Sequence, residues 1–310
     1  MNNTDSPSRN RRARSASPRE GGEAAPEAEA FRDANRGQRL HRYLASRGIA
    51  SRRACESMVL EGRVHVNGIP VTTLPAWVDP DRDWIEVDGQ RLRPRRDGPR
   101  GAHCYVVLNK PRHVISTTHD PQGRRPVTDM VAVGRRLYPV GRLDADSTGL
   151  ILLTDDGDLA HRLTHPRYEV PKVYHVSVRG RVTDENVQQL KKGLFLAPRA
   201  ASQGGVPPRR ASVAQVRLIS RMRRKGREPR TRLAVTLREG QNRQIRRLVA
   251  RLGHKVLRLE RIALGPLRIQ GLAVGQWRHL RPGEVASLRR AAGLAAPGRS
   301  SARGQTGLPP

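Results

Sequence analysis

The sequence is poor in several things, and each shortage excludes a class of protein. Two cysteines, Cys55 and Cys104, among 310 residues cannot build a disulfide framework, nor alone a thiolate zinc site. Two Phe, five Tyr and three Trp leave a core that must be mostly aliphatic. The longest apolar runs, such as Tyr105-Val106-Val107-Leu108 and Leu150-Ile151-Leu152-Leu153, fall far short of the roughly 20 residues of a membrane span. The first residues hold no apolar leader core, so a cytoplasmic location without membrane attachment is expected. Carboxylates are the last shortage: 28 Asp+Glu face 59 Lys+Arg, a formal net charge of +31.

The excess charge is not in the ends. Residues 1–36 carry a net of +1 and residues 291–310 a net of +2, so +28 lies between them. Such a density on the part that folds invites a polyanion and steers its association through phosphate contacts. Arginine dominates, and its planar fork suits phosphates and base faces. Nucleic acid is therefore the expected partner, although charge does not separate RNA from DNA.

Composition divides the chain. Residues 1–36 are Ser, Arg, Pro, Ala and Glu without apolar period and read as a disordered tail; 289–310 read the same way. A Pro/Gly-rich linker, 94–102, separates two patterned regions, 37–93 and 103–288. Within the second, 198–210 reads as a long basic loop, and 221–227 is a further basic run.

In the first region Leu40, Tyr43 and Leu44 stand at i, i+3, i+4, predicting a short helix that ends near Gly48. Ser51 is placed to cap a second helix with Ala54, Met58 and Val59 inward and Gly62 beyond its end. Asn67-Gly68 and Asp88-Gly89 each sit between alternating residues, the signature of two-residue hairpins. Arg39, Arg42, Arg47, Arg52 and Arg53 then face outward. Arg39-Leu40, the stretch Gly48-Ile49-Ala50-Ser51-Arg52-Arg53 and the stretch Gly62-Arg63-Val64-His65-Val66-Asn67-Gly68 together resemble the S4 RNA-binding domain. That resemblance implies that the basic helical face docks structured RNA and contributes no chemistry.

Two metal-like spacings in the second region do not survive inspection. Asp144, Asp146 and Asp155 mimic a calcium loop, but residues 150–153 are a buried-strand run and no helix pair flanks them. His161 and His165 are four apart, but Arg162 stands where a zinc protease needs Glu, and Pro166 follows directly. No metal or cofactor is expected.

Three other stretches fit together. They are Gly141-Arg142-Leu143-Asp144 ahead of Gly149 and an aliphatic strand; Lys172-Val173-Tyr174 opening a strand; and Glu239-Gly240-Gln241-Asn242-Arg243-Gln244-Ile245-Arg246. In this order they resemble the RNA pseudouridine synthases, in the branch named for the ribosomal small-subunit enzyme and its large-subunit relatives. The resemblance implies an α+β catalytic domain on a mixed, mainly antiparallel sheet with a central cleft. The reaction it implies is redox-neutral: uracil leaves the ribose at N1, turns, and rejoins through C5. Asp144 takes the family's essential aspartate position. Tyr174 stands for the tyrosine against the target base. Arg246 stands for the basic residue pairing with the aspartate, with Arg243 as the nearby alternative. Arg142 stands where relatives fill the space of the extruded base. Lys110, Lys172 and Arg243 join the S4-type arginines as expected RNA contacts. Ser147 departs from the usual Thr.

The stretches 120–127 and 164–170 look more like the large-subunit branch, so 23S ribosomal RNA is the expected partner and a monomer the expected form; 16S RNA is the alternative. A non-catalytic S4-type assembly factor would share the charge but have no need of Asp144, Tyr174 and Arg246 together. An S4-containing methyltransferase would need a glycine-rich strand–turn–helix, and the glycines at 101, 123, 134 and 141 are too scattered for one.

Overall fold

The computed structural model describes residues 30–92, 103–118, 120, 122–197, 208–222 and 228–294. The expected linker 94–102, most of the 198–210 loop, most of the 221–227 run and the outer parts of both tails lie outside the described residues. The chain forms two compact units, divided near residue 97.

The first unit holds helices α1 (Leu40–Ser46) and α2 (Arg52–Leu60) and the strands β1 (Val64–Val66), β2 (Ile69–Pro70), β3 (Ile85–Val87) and β4 (Gln90–Arg91). The sheet order is β2-β1-β3-β4. Its two hairpin turns carry positive φ at both central residues: 54° and 84° at Asn67-Gly68, 52° and 73° at Asp88-Gly89. That backbone matches the twist of the flanking strands. Arg63 clasps the second turn with a forked pair of 2.7 Å bonds to Asp88. The Ser51 hydroxyl accepts from Ala54 N at 3.1 Å, capping α2 as expected. The inward face of α2 is Cys55 and Val59, however, while Ala54 is exposed and Met58 only half-buried. The folded part also begins ahead of Gly37. Phe31 is buried in this core, and Arg36 binds Asp83 through 2.8 and 2.9 Å bonds. Residues 30–36, whose composition reads as tail, are thus attached to this unit by one aromatic ring and one ion pair.

The second unit is built on a mixed sheet of nine strands. Seven run in the order β8-β9-β7-β10-β6-β5-β11, where β5 is Tyr105–Lys110, β6 Thr148–Thr154, β7 Lys172–Arg179, β8 Gln215–Met222, β9 Arg230–Leu237, β10 Val256–Leu264 and β11 Trp277–His279. Neighbours are antiparallel except β6 and β10. The expected α+β architecture with a mainly antiparallel sheet is what the chain forms. Leu143, Ile151, Leu153, Tyr174 and Val176 join α4 (Asp184–Lys192) and α5 (Gln244–Arg251) on one face of the sheet. Leu150, Leu152 and Val107 join α3 (Gly157–Thr164) and α6 (Pro282–Ala291) on the other. All seven residues of β6 are buried, as a strand covered on both faces requires.

Asp156 links three elements. Its Oδ1 accepts from Leu159 N at 3.0 Å at the start of α3, and its Oδ2 accepts from the Tyr105 hydroxyl at 2.8 Å and Arg289 at 3.0 Å. Arg289 belongs to α6, so the C-terminal helix extends past residue 288, and Leu288 and Ala292 are buried.

Candidate active site

Asp144 sits in a loop that is tied down from below. Ser116 Oγ accepts from Leu143 N and donates to Leu143 O, both at 3.0 Å, while His113 N donates to Ala145 O at 2.7 Å. Leu143 itself is buried and anchors the loop in the core. The segment His113–Thr118 is thus the brace of the aspartate, with Val114 buried.

Beyond the loop the chain enters β6 through Gly149. Its φ is +106°, and a Cβ there would lie 2.7 Å from Arg261 N, 3.0 Å from Arg261 C and closer still to Arg261 O. Only glycine lets β6 and β10 approach in this way. Arg261 is buried, its Nε donating to Leu150 O at 2.7 Å.

Helix α5 brings the arginines. Arg243 precedes it with φ +49°, and the buried Gln244 fixes that bend: its amide donates to Ser212 O at 2.9 Å and Glu239 at 3.1 Å and accepts from Gln241 N at 3.0 Å. Asp144 Oδ2 lies 3.2 Å from Arg243 Nη1 and 3.9 Å from Arg246 Nε. Of the two arginines, the sequence-based alternative therefore makes the closer contact. Arg246 turns mainly to Asp146, at 3.1 Å, and to Ser147 Oγ at 3.3 Å. Arg243 also reaches Asp146 at 3.2 Å. Two carboxylates thus share two guanidiniums. Burial works against charge on Asp146, but the Arg243 hydrogen bond and the charges of Arg246 and Arg243 outweigh it and hold this carboxyl below its usual range. Burial lowers the Arg246 pKa from its usual value.

Asp146 and Ser116 were not among the sequence-predicted site residues. For Asp146 the only signal was its i+2 spacing from Asp144; for Ser116 none was available, since its partner lies 27 residues away. Tyr174 is buried in β7, opposite Arg261 of β10 and Val235 of β9. Arg142 is exposed.

Lys110 and Lys172, expected as RNA contacts, are both buried in the structure. Lys110 Nζ donates to Val114 O at 2.6 Å and Pro111 O at 3.0 Å, and Lys172 Nζ to Val170 O at 3.0 Å. Each has its ammonium folded onto carbonyls at one end of a sheet strand. Burial pulls both down to about 8, against the attraction of Asp146 and Asp144 in the case of Lys110, with Arg261 adding to the fall. A lysine lowered from 10.5 to about 8 on folding disfavours the folded state fully below pH 8, and the cost is relieved as pH rises toward 10.5. The melting temperature of the wild type relative to Lys110→Met should therefore rise between pH 8 and pH 10.5, read by calorimetry at matched salt. A difference independent of pH over that window would show that Lys110 titrates normally.

A cavity of about 890 Å³ in this unit is lined by Glu169, Val173, Ser212, Thr236, Arg238 and Glu239 among others, not by Asp144. The aspartate instead sits in an open position, its side chain 28% exposed between arginines 42% and 13% exposed. Among the described residues no cluster of His, Cys, Asp and Glu is suited to a metal ion, and no helix is long and apolar enough to cross a membrane.

This aspartate–arginine arrangement lies within residues 104–251, which match the family described as RNA pseudouridylate synthase; residues 38–74 match the S4 domain. A protein of Aquifex aeolicus named as an RNA pseudouridine synthase is 38% identical over 83% of this chain and 95% of its own. The chain belongs to the RNA pseudouridine synthase family. The synthase is also 40% identical to the ribosomal large subunit pseudouridine synthase B of Bacillus subtilis, over 81% of this chain and 96% of that one. A crystal structure of a pseudouridylate synthase superposes with a TM-score of 0.52 at 25% identity, covering 81% of this chain and all of that one. The enzyme is accordingly an isomerase acting on uridine in RNA, preceded by an S4 domain.

Proposed function

We propose that this enzyme converts a uridine of large-subunit (23S) ribosomal RNA to pseudouridine with Asp144 as the catalytic carboxylate. The observation that carries the reading is the placement of Asp144 on a braced loop, one oxygen 3.2 Å from Arg243, with α5 holding Arg246 behind it. A carboxylate so placed supplies the lone pair the isomerisation needs, whether toward ribose C1′ or the uracil ring. The two arginines orient it and offset its charge as the negatively charged substrate enters.

Tyr174 is assigned to packing against the target base, and Arg142, exposed two residues before Asp144, to the gap left by the flipped nucleotide. Flipping costs a few kcal/mol, least for an unpaired base, so a stem-loop or bulge is the fitting target. In the S4 unit Arg39, Arg42, Arg52 and Arg53 are exposed and Arg47 is half-buried beside the Tyr43 ring; they are assigned to phosphate contacts that dock the RNA. Support for the large subunit comes from the name of the Bacillus subtilis relative.

The test incubates unmodified 23S and 16S transcripts separately with the protein and maps pseudouridine by carbodiimide labelling and primer extension. A new stop confined to 23S is expected. A stop only in 16S would keep the chemistry and overturn the choice of subunit.

A further inference from the structure

Strands β7, β8, β9 and β10 bury one face and leave the other open. Burial alternates strictly along β7 and β9: Val176, Val178, Leu233 and Val235 point into the core with α5. The opposite rows follow from the strand register. Arg217, Ala234, His175 and Glu260 lie side by side across β8, β9, β7 and β10; Ser220, Arg232, Ser177 and Arg258 form the next row; Met222, Arg230 and Arg179 form the third. Arg179, Arg217, Arg230, Arg232 and Arg258 are all exposed.

Five arginines on one face of four strands repel one another in the free protein. Among the described residues two carboxylates offset them, both at the margin: Glu260 lies 3.5 Å from Arg258 and Glu228 lies 3.0 Å from Arg179. Among the described residues Arg217, Arg230 and Arg232 have no carboxylate within ion-pair distance. Arg232 turns instead to His175 Nδ1, at 3.4 Å. Burial chiefly, with Arg232 and, against the pull of Glu260, Arg217 adding to it, holds that imidazole below its ordinary pKa. None of this charge is used by the Asp144 site, which lies with α5 on the other side of the sheet.

The rows contain no Phe, Tyr or Trp. A sheet that reads single-stranded RNA offers several aromatic rings for bases to stack on, whereas these rows offer one half-buried imidazole, His175, among guanidiniums and small side chains. Neighbouring strands stand roughly 4.8 Å apart, and alternate residues of a strand roughly 6.7 Å. The arginine positions therefore form a rigid array several phosphates wide, suited to a sugar–phosphate backbone rather than to one anion.

We infer that this open basic sheet face is a second RNA-binding surface, which holds the backbone of a double-helical segment of the substrate RNA away from the reacting uridine. The inference rests on the reading of the enzyme as acting on a large structured RNA. Its occupant is recognised by shape and charge without sequence preference, and it adds affinity without entering the chemical step.

The test uses the full chain with Arg217→Gln, Arg230→Gln, Arg232→Gln and Arg258→Gln combined, and unmodified 23S transcript as probe. Each lost phosphate contact lowers the log–log salt slope of binding by about 0.9, so the slope should fall by about 3 to 4. KM for the transcript at roughly physiological ionic strength should rise at least about tenfold, with kcat at saturating RNA within about twofold of wild type. Unchanged KM and slope would overturn the inference, including the case in which the face proves to bind a ribosomal protein instead. Should the fourfold variant misfold, the Arg217→Gln/Arg232→Gln pair serves, with about half the slope change expected. If the wild type forms no pseudouridine, the functional reading fails by itself, and equilibrium binding of the same variants still decides the surface.

Discussion

Asp144→Asn should lower pseudouridine formation at least ~1000-fold while leaving RNA affinity within about twofold. The amide has nearly the size of the carboxylate, so the loop held by Ser116 and His113 keeps its course. What disappears is the negative charge and the reactive lone pair beside Arg243. Asp146→Asn provides the contrast. Asp146 accepts from Arg243 and lies within ion-pair distance of both arginines, so its loss frees them without removing the reacting group, and a reduction of about tenfold is expected. The measurement is single-turnover release of tritium from RNA labelled at uridine C5, since the new C5–C1′ bond takes the place of the C5–H bond. Turnover by Asp144→Asn within about tenfold of wild type would sink the assignment.

Gly149→Ala should strongly destabilise the second unit. The alanine Cβ would overlap the backbone of Arg261, not a flexible side-chain end, in a conformation with φ +106° that L residues rarely adopt. Moving Arg261 aside disturbs the one parallel pairing of the sheet, Glu260 with Thr148 and Arg261 with Gly149. It also disturbs the Arg261–Leu150 bond beneath it. Steric and backbone strain together are expected to cost ~4 kcal/mol or more, a large part of the roughly 5–15 kcal/mol that holds a typical domain. Urea unfolding followed by tryptophan fluorescence reads the effect through Trp277, which packs against the core of this unit. A midpoint close to wild type would show that β6 and β10 separate without penalty.

Much of this was legible in residue patterns, and the parts that were not share a cause. Turn chemistry is local, so Asn67-Gly68, Asp88-Gly89 and the Ser51 cap follow from neighbours in sequence. The order of the three stretches around Asp144, Tyr174 and Arg246 likewise carries the family and its α+β sheet. Contacts made by folding were hidden. Phe31 looks like a tail residue until it meets Leu40 and Val78 in one core. Lys110 and Lys172 look like surface cations because composition does not reveal that their side chains turn back onto buried carbonyls. The division of Asp144 and Asp146 between Arg243 and Arg246 depends on the left-handed residue ahead of α5, which Gln244 sets by bonds to Ser212 and Glu239. The five arginines of the open sheet face are scattered from 179 to 258, and only the register gathers them.

The carboxylate of Asp156 has a consequence for how this unit comes apart. It stands at the junction of the first strand, a helix in the middle of the chain and the last helix, and it is almost fully buried. Were α6 to fray, Arg289 would leave this carboxylate without its charged donor in an apolar surround, a cost that grows where water cannot reach it. The three pieces should thus open as one cooperative block, and amide hydrogens of α3 and α6 should exchange with a common opening free energy. The last of the described helices is thereby bound to the stability of the strand and helix that share this carboxylate.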